Sequence, residues 1–265
     1  MKSAIILFLF SVFILTSCQQ APDMDALPTL ADPESLATAI VLTENAPPAG
    51  YETVSFPRLD DNTQALAGWR AEMFFQLEGA FARTTRETSA STNATITYDQ
   101  VGSARRVIAT RDLNLAEEAE PLSLEAVRLG EDTFLVREGR CASNVPDGDL
   151  LADLSAGDLL GGVTSATSAS QRETINGEEV WLYRFLAEDL VLPNITLGED
   201  ARLLSAQGDL WVAPEHDVVV RFNLTLVVEN ATIFDQDLPI SGTISMQYDL
   251  YDIGTVPNLS IPNGC

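Results

Sequence analysis

Strict alternation of apolar and polar side chains organises this chain from Leu66 onward. Between Trp69 and Phe81 the odd positions are Trp69, Ala71, Met73, Phe75, Leu77, Gly79 and Phe81, while Arg70, Glu72, Gln76 and Glu78 hold even positions. Successive side chains of an extended strand point to opposite faces, so a period of two predicts a strand with one apolar and one wet face. The pattern returns at Ala94, Ile96 and Tyr98, at Val107 and Ala109, and at Trp181, Tyr183 and Phe185. It is clearest at Val218, Val220, Phe222, Leu224, Leu226 and Val228, and it closes with Ile240, Gly242, Ile244, Met246, Tyr248 and Leu250. Leu122 to Leu129 and Thr133 to Arg137 read as a hairpin about Gly130-Glu131-Asp132. Spacing of the turn signals predicts about nine to eleven antiparallel strands in a meander. One helix stands out, Asp149 to Leu160: Asp149 can cap it, Leu150, Leu151, Leu154 and Leu159 form a stripe, and Gly161-Gly162 ends it. The expected fold is therefore mainly β with one or two helices. A long antiparallel sheet with one apolar face must bury that face by curling on itself, by packing a helix into its concavity, or by holding an apolar ligand there.

The chain ahead of this pattern has a different character. Met1 and Lys2 give a positive start, and Ala4 to Leu15 is almost wholly apolar. That run falls short of the ~20 residues a membrane span needs, and it suits the apolar core of a signal peptide. Leu15-Thr16-Ser17-Cys18 follows directly and looks like a bacterial lipobox. Residues 1–17 then form the signal peptide, and Cys18 becomes the lipidated first residue that attaches the exported protein to a membrane. The other reading is an ordinary secretory signal with a chance cysteine. Residues 18–62 are rich in proline and acid and read as a tether. Within them Glu34–Leu42 suggests a short helix and Tyr51–Phe56 a strand that docks on the domain. Residues 63–265 form the single β domain.

Charge and cysteine count narrow the function. The formal net charge is −24, and Lys2 is the sole lysine, so removing residues 1–17 leaves 14 Arg against 39 acids, a charge of −25. Such a charge repels phosphate backbones and argues against nucleic acid as a partner. It also leaves membrane attachment to the lipid on Cys18. With Cys18 modified, Cys141 and Cys265 remain as an even pair in an oxidising setting and are expected to form a disulfide, the alternative being two free thiols.

Catalytic chemistry is sparse. His216 is the only histidine, and Pro214, Glu215 and Asp217 around it read as a turn. No Ser-His-Asp or Cys-His arrangement can be built without it. There is no His or Cys cluster with metal spacing. Acidic pairs such as Glu117-Glu118 and Glu178-Glu179 read as solvated loop charge in a chain this acidic. Asp147-Gly148-Asp149 lacks the other oxygen ligands of a calcium loop. No catalytic residue, metal or cofactor is expected, and the chain does not read as an enzyme.

Four short stretches resemble the LolA/LppX-like lipoprotein carriers (the LppX, LprA, LprF and LprG group). They are Leu66-Ala67-Gly68-Trp69-Arg70-Ala71-Glu72-Met73, Glu178-Glu179-Val180-Trp181-Leu182-Tyr183-Arg184-Phe185 after the turn Asn176-Gly177, Gly208-Asp209-Leu210-Trp211-Val212-Ala213 with Asp217 to Phe222, and Tyr248-Asp249-Leu250-Tyr251-Asp252-Ile253-Gly254 with its proline-containing tail. The resemblance covers residues 66–265. It implies a strongly curved antiparallel sheet, a half-barrel with one or two helices on its concave side, and an apolar cavity that takes the acyl chains of lipids. Trp69, Met73, Phe75, Phe81, Trp181, Phe185, Leu210, Phe222, Leu224 and Met246 are then the expected cavity lining. The competing expectation is a structural or interaction module of the envelope in which the same residues fill a solid core. A pocket wall and a core wall share one alternation.

Overall fold

The alternating stretches become strands of one antiparallel sheet in the computed structural model, which describes residues 45–114, 122–234 and 238–265. The signal segment 1–17, the lipobox with Cys18, the helix expected over Glu34–Leu42 and the pair Glu117-Glu118 lie outside the described residues. Contacts divide the chain after Val41, and the unit Leu42–Cys265 holds every described element.

A short outer strand, β1 (Thr53–Phe56), precedes a six-strand meander: β2 (Gly68–Phe81), β3 (Glu87–Asp99), β4 (Ala104–Asn114), β5 (Leu122–Leu129), β6 (Asp132–Arg137) and β7 (Arg140–Ser143). Two helices follow, α1 (Pro146–Ala152) and α2 (Ala156–Leu159). Then come β8 (Gly162–Ile175), β9 (Glu178–Arg184), the two-residue β10 (Leu190–Val191) and β11 (Ile195–Thr196), and the long β12 (Arg202–Ala213), β13 (Val218–Ile233) and β14 (Ile240–Tyr251). The strand order is β1-β8-β9-β12-β13-β14-β2-β3-β4-β5-β6-β7, with β10 beside β8 and β11 beside β13. Registers follow the alternation. In one row Leu210, Phe222, Tyr248 and Met73 are neighbours across four strands, and in another Leu224, Met246 and Phe75 stand side by side. Asn176 (φ 55°) and Gly177 (φ 94°) supply the two left-handed residues of a tight hairpin turn between β8 and β9.

The strongly curved half-barrel expected from the sequence is not what forms. The sheet is flat and open: its outer strands β1 and β7 are four residues each and do not pair with one another. Nor is there a concavity for a helix to fill. The helices have seven and four residues, and α1 packs on β4, β5 and β6 at one end of the sheet. The apolar face shares one buried core with residues of the chain that leads into β2. Val54, Phe56, Leu59 and Leu66 join Ala156 and Leu160 in one cluster with the inward residues of β2, β3, β9, β12, β13 and β14.

The expected helix over Asp149–Leu160 is also corrected, to two shorter ones. Pro146 opens α1, where its missing N–H costs nothing. Ser155 breaks the run: its backbone is extended, and its hydroxyl accepts a hydrogen bond from the Asp158 N–H at 3.1 Å, which starts α2 anew. The Asn194 side-chain amide donates to the carbonyls of Asp158 and Leu159 at 2.8 and 2.9 Å and satisfies the far end.

Candidate functional site

The ten residues expected to line a cavity are brought together, but not around a space. Trp69, Met73, Phe75, Phe81, Trp181, Leu210, Phe222, Leu224 and Met246 are buried, with Phe75, Leu210 and Phe222 at 0% exposure. Phe185 is half-buried and stacks on Phe222 with ring centroids 5.8 Å apart. Phe234 meets the Phe75 ring edge-on at 4.9 Å. A flat, open sheet forms no curved cavity for acyl chains, so that expectation is corrected, and a solid core fits the sheet better. Residues of the stretch after β1 and of α2 pack into the same buried cluster as the inward residues of the sheet.

A polar latch holds this covering stretch in place. Arg58 pairs with Asp158 at 2.7 Å and donates to the Ser155 hydroxyl at 2.7 Å, while the Asp60 carboxylate accepts from the Gly157 N–H at 2.8 Å. The hydrogen bond from Arg58 holds the Asp158 carboxyl below its usual range. Arg105, on β4, donates to the Leu154 carbonyl, and burial lowers the pKa of its guanidinium. The Tyr248 hydroxyl is fully buried beside β2, and burial raises its pKa well above the usual tyrosine value. The arginine and carboxylate groups join segments, whereas the Tyr248 hydroxyl has no hydrogen-bond partner among the described residues. His216 sits in the turn between β12 and β13, 3.2 Å from a Glu178 carboxylate oxygen. Among the described residues no group of three or more His, Cys, Asp or Glu is placed to hold a metal ion.

Cys141 of β7 and Cys265 are joined by a disulfide, with Cα atoms 5.2 Å apart across 124 residues of sequence. The tail it fixes leaves β14, donates a hydrogen bond from the Gly254 N–H to the Gly68 carbonyl at 2.9 Å, and passes Arg106 and Glu125 at residues Asn258 to Asn263. Next to it lies a groove of about 620 Å³ over β4, β5 and the β6–β7 turn, with Ile108, Leu122, Val136, Glu125, Arg111 and Arg137 in its lining.

No family model matches the chain, and no curated protein matches it. Among solved structures it is similar to LprF from Mycobacterium bovis, at 14% identity and a TM-score of 0.36, over 78% of this chain and 93% of that one. It is also similar to a "putative outer membrane lipoprotein-sorting protein domain" from Vibrio parahaemolyticus, at 9% identity and a TM-score of 0.23, over 73% and 87%. Likenesses of this size place the chain in no family and assign it no activity.

The sequence alone does not mark this groove: Leu122, Val136 and Arg137 read there only as members of a hairpin. The signal available was the scarcity of basic residues: where acids outnumber them 39 to 15, each arginine that lacks an acid beside it in the fold is informative, and that requires the pairing of strands.

Proposed function

We propose that this protein is a non-catalytic structural or interaction module of the bacterial cell envelope. Residues 1–17 export it, the lipid on Cys18 holds it at a membrane, and the acidic, proline-rich stretch after Cys18 spaces the β domain from the surface. The filled apolar face of the sheet carries this reading: Phe75, Leu210, Phe222 and Leu226 are wholly buried against the chain's own side chains, leaving a ligand no place among them. The domain therefore acts through its surface.

Native mass spectrometry of the mature chain with Cys18→Ser tests the solid core. The expected mass is that of the polypeptide alone; a lipid retained by most molecules through purification overturns the reading. Metabolic labelling with a radioactive fatty acid tests the anchor separately. Label is expected in the wild type and absent in Cys18→Ser, and an unlabelled wild type removes the anchor from the proposal.

A further inference from the structure

The chain that leaves β14 crosses the outer face of the sheet as a strap. Gly68, Asp99 and Ala104 are register partners on β2, β3 and β4 and share the face turned away from the core. A Cβ on Gly68 would lie 2.3 Å from the Thr255 carbonyl oxygen and 2.8 Å from Pro257 Cδ, so the strap starts on that side. Arg106 and Ile108 follow Ala104 on the same face, since successive side chains of a strand alternate. Residues Asn258 to Asn263 next line a space of about 120 Å³ with Arg106 and Glu125. Ile108, Glu125, Val136 and Cys141 form one row across β4 to β7, and Cys265 is bonded to the last of them. Ala104 and Val127, also on this face, are 4% and 0% exposed, yet neither belongs to the main core or to the small cluster of Ala126, Leu135 and Ala152. Val127 is the register partner of Arg106, whose Nε is buried too. The strap runs over this side and shields them.

The hold on the strap is uneven. At its start the Gly254 N–H donates to the Gly68 carbonyl at 2.9 Å. From residue 256 to 264 no hydrogen bond or ion pair ties it to the sheet among the described residues. Pro262 is buried and Leu259 half-buried, but Val256 and Ile261 are exposed. The far end is pinned by the bridge to Cys141, and Cys265 itself is exposed.

We propose that the Cys141–Cys265 bridge is a latch opened by an external dithiol reductant, and that opening it releases the strap from the outer face. A thiolate of the reductant attacks the exposed Cys265 sulfur, the Sγ–Sγ bond breaks, and Cys141 leaves as a thiolate. The reductant's second thiolate then attacks its own sulfur in the mixed disulfide and expels Cys265. Two electrons pass to the bridge, the reductant becomes a disulfide, and its two protons end on Cys141 and Cys265. Exposed bridges are the labile members of their class. In an oxidising setting the latch rests closed. Once it opens, residues 256–264 regain backbone freedom, opposed by the apolar contacts of Leu259 and Pro262. Release adds Ala104 and Val127 to the half-buried Ile108, Phe134 and Val136 as one apolar surface.

The mature chain with Cys18→Ser retains only these two cysteines and is the material for the test. Dithiothreitol is expected to open the bridge in the folded protein, at a rate that stays level as urea is raised below the unfolding transition. Far-UV circular dichroism should not change. Thermolysin, which cuts before large apolar residues, should then cleave at Leu259 and Ile261 roughly tenfold faster than in the oxidised chain, with β4 and β5 intact; all products are reduced before mass analysis. Cys265→Ser should be cleaved at the fast rate without reductant and be indifferent to dithiothreitol. A bridge that opens only as urea unfolds the domain overturns the proposal, as does reduction that unfolds the whole sheet. Equal cleavage before and after reduction overturns it as well, because the strap would then stay seated without its pin. The latch is independent of the reading of the core: a lipid retained by the Cys18→Ser chain would defeat the solid core and leave this result untouched.

Discussion

Gly161 and Gly162 show at the residue scale how a sequence signal can be right and incomplete. They read as the stop of a helix, and Gly161, at φ +86°, does end α2. Their larger role is to let three backbones meet. A Cβ on Gly161 would lie 1.8 Å from the Val191 carbonyl oxygen, and one on Gly162 would lie 2.2 Å from that of Phe56. Gly162→Ala is therefore expected to destabilise the fold by about 1–3 kcal/mol through overpacking. Gly161→Ala should cost about 1–2 kcal/mol more, from its left-handed backbone. Urea midpoints measure both, and a wild-type midpoint for either variant would refute the close approach. Charge at the same junction sets an acid limit. Hydrogen bonds from Arg58 and Arg128 hold Asp158 and Asp153 below the usual aspartate value of 3.8. A depressed folded-state pKa contributes stability that is complete above the unfolded value and is lost as pH falls through the folded one. The carboxylates are 61% and 64% exposed, so screening keeps the effect small. Melting curves from about pH 5 to about pH 2 should show the wild type losing more stability than Asp158→Asn; parallel losses would remove the pair from the account.

At the scale of elements, the disulfide converts a weak edge into a fixed one. Strand β7 has four residues and one neighbour, β6. Bonding Cys141 to Cys265 ties it to a tail that is itself held at Gly68. Cys265→Ser is expected to cost about 2–5 kcal/mol, chiefly by freeing the unfolded chain. The comparison is denaturant unfolding of the oxidised wild type against the variant, and a shift shared by reduced and oxidised wild type alike would count against the bridge. Legibility in the sequence followed the burial of one face. Strands β2, β13 and β14 have an inward residue at nearly every second position and announce themselves by period. Strand β8 does not: from Ser170 to Thr174 both faces are wet, since β1 pairs only with its first part. Without a buried face no alternation is written. The break at Ser155 was hidden for a related reason, because the leucine stripe continues across it and only the backbone conformation separates α1 from α2.

At the scale of the whole molecule the question is what a sheet with one greasy face does when it neither closes nor curls. Its long central strands expose their apolar row to whatever the remaining chain can lay over it. Here residues of the stretch from Arg58 to Leu66 and a few residues of α2 share the core with that row. Short outer strands also limit pairing with other sheets, which a flat sheet invites. The alternation could not reveal this arrangement, because inward residues look alike whether they face protein or an opening. Energetics can. A large side chain that fills a core leaves a cavity when removed, whereas one lining an open pocket leaves only a wider pocket. Phe75→Ala and Phe222→Ala, both at positions with no exposure, are expected to lose about 3–5 kcal/mol each. Ile108→Ala in the groove, whose side chain is only half-buried, serves as the internal comparison and should lose far less. Equilibrium unfolding in urea reads all three. If the phenylalanine variants fall no further than Ile108→Ala, the sheet's apolar face is open and the solid core is wrong.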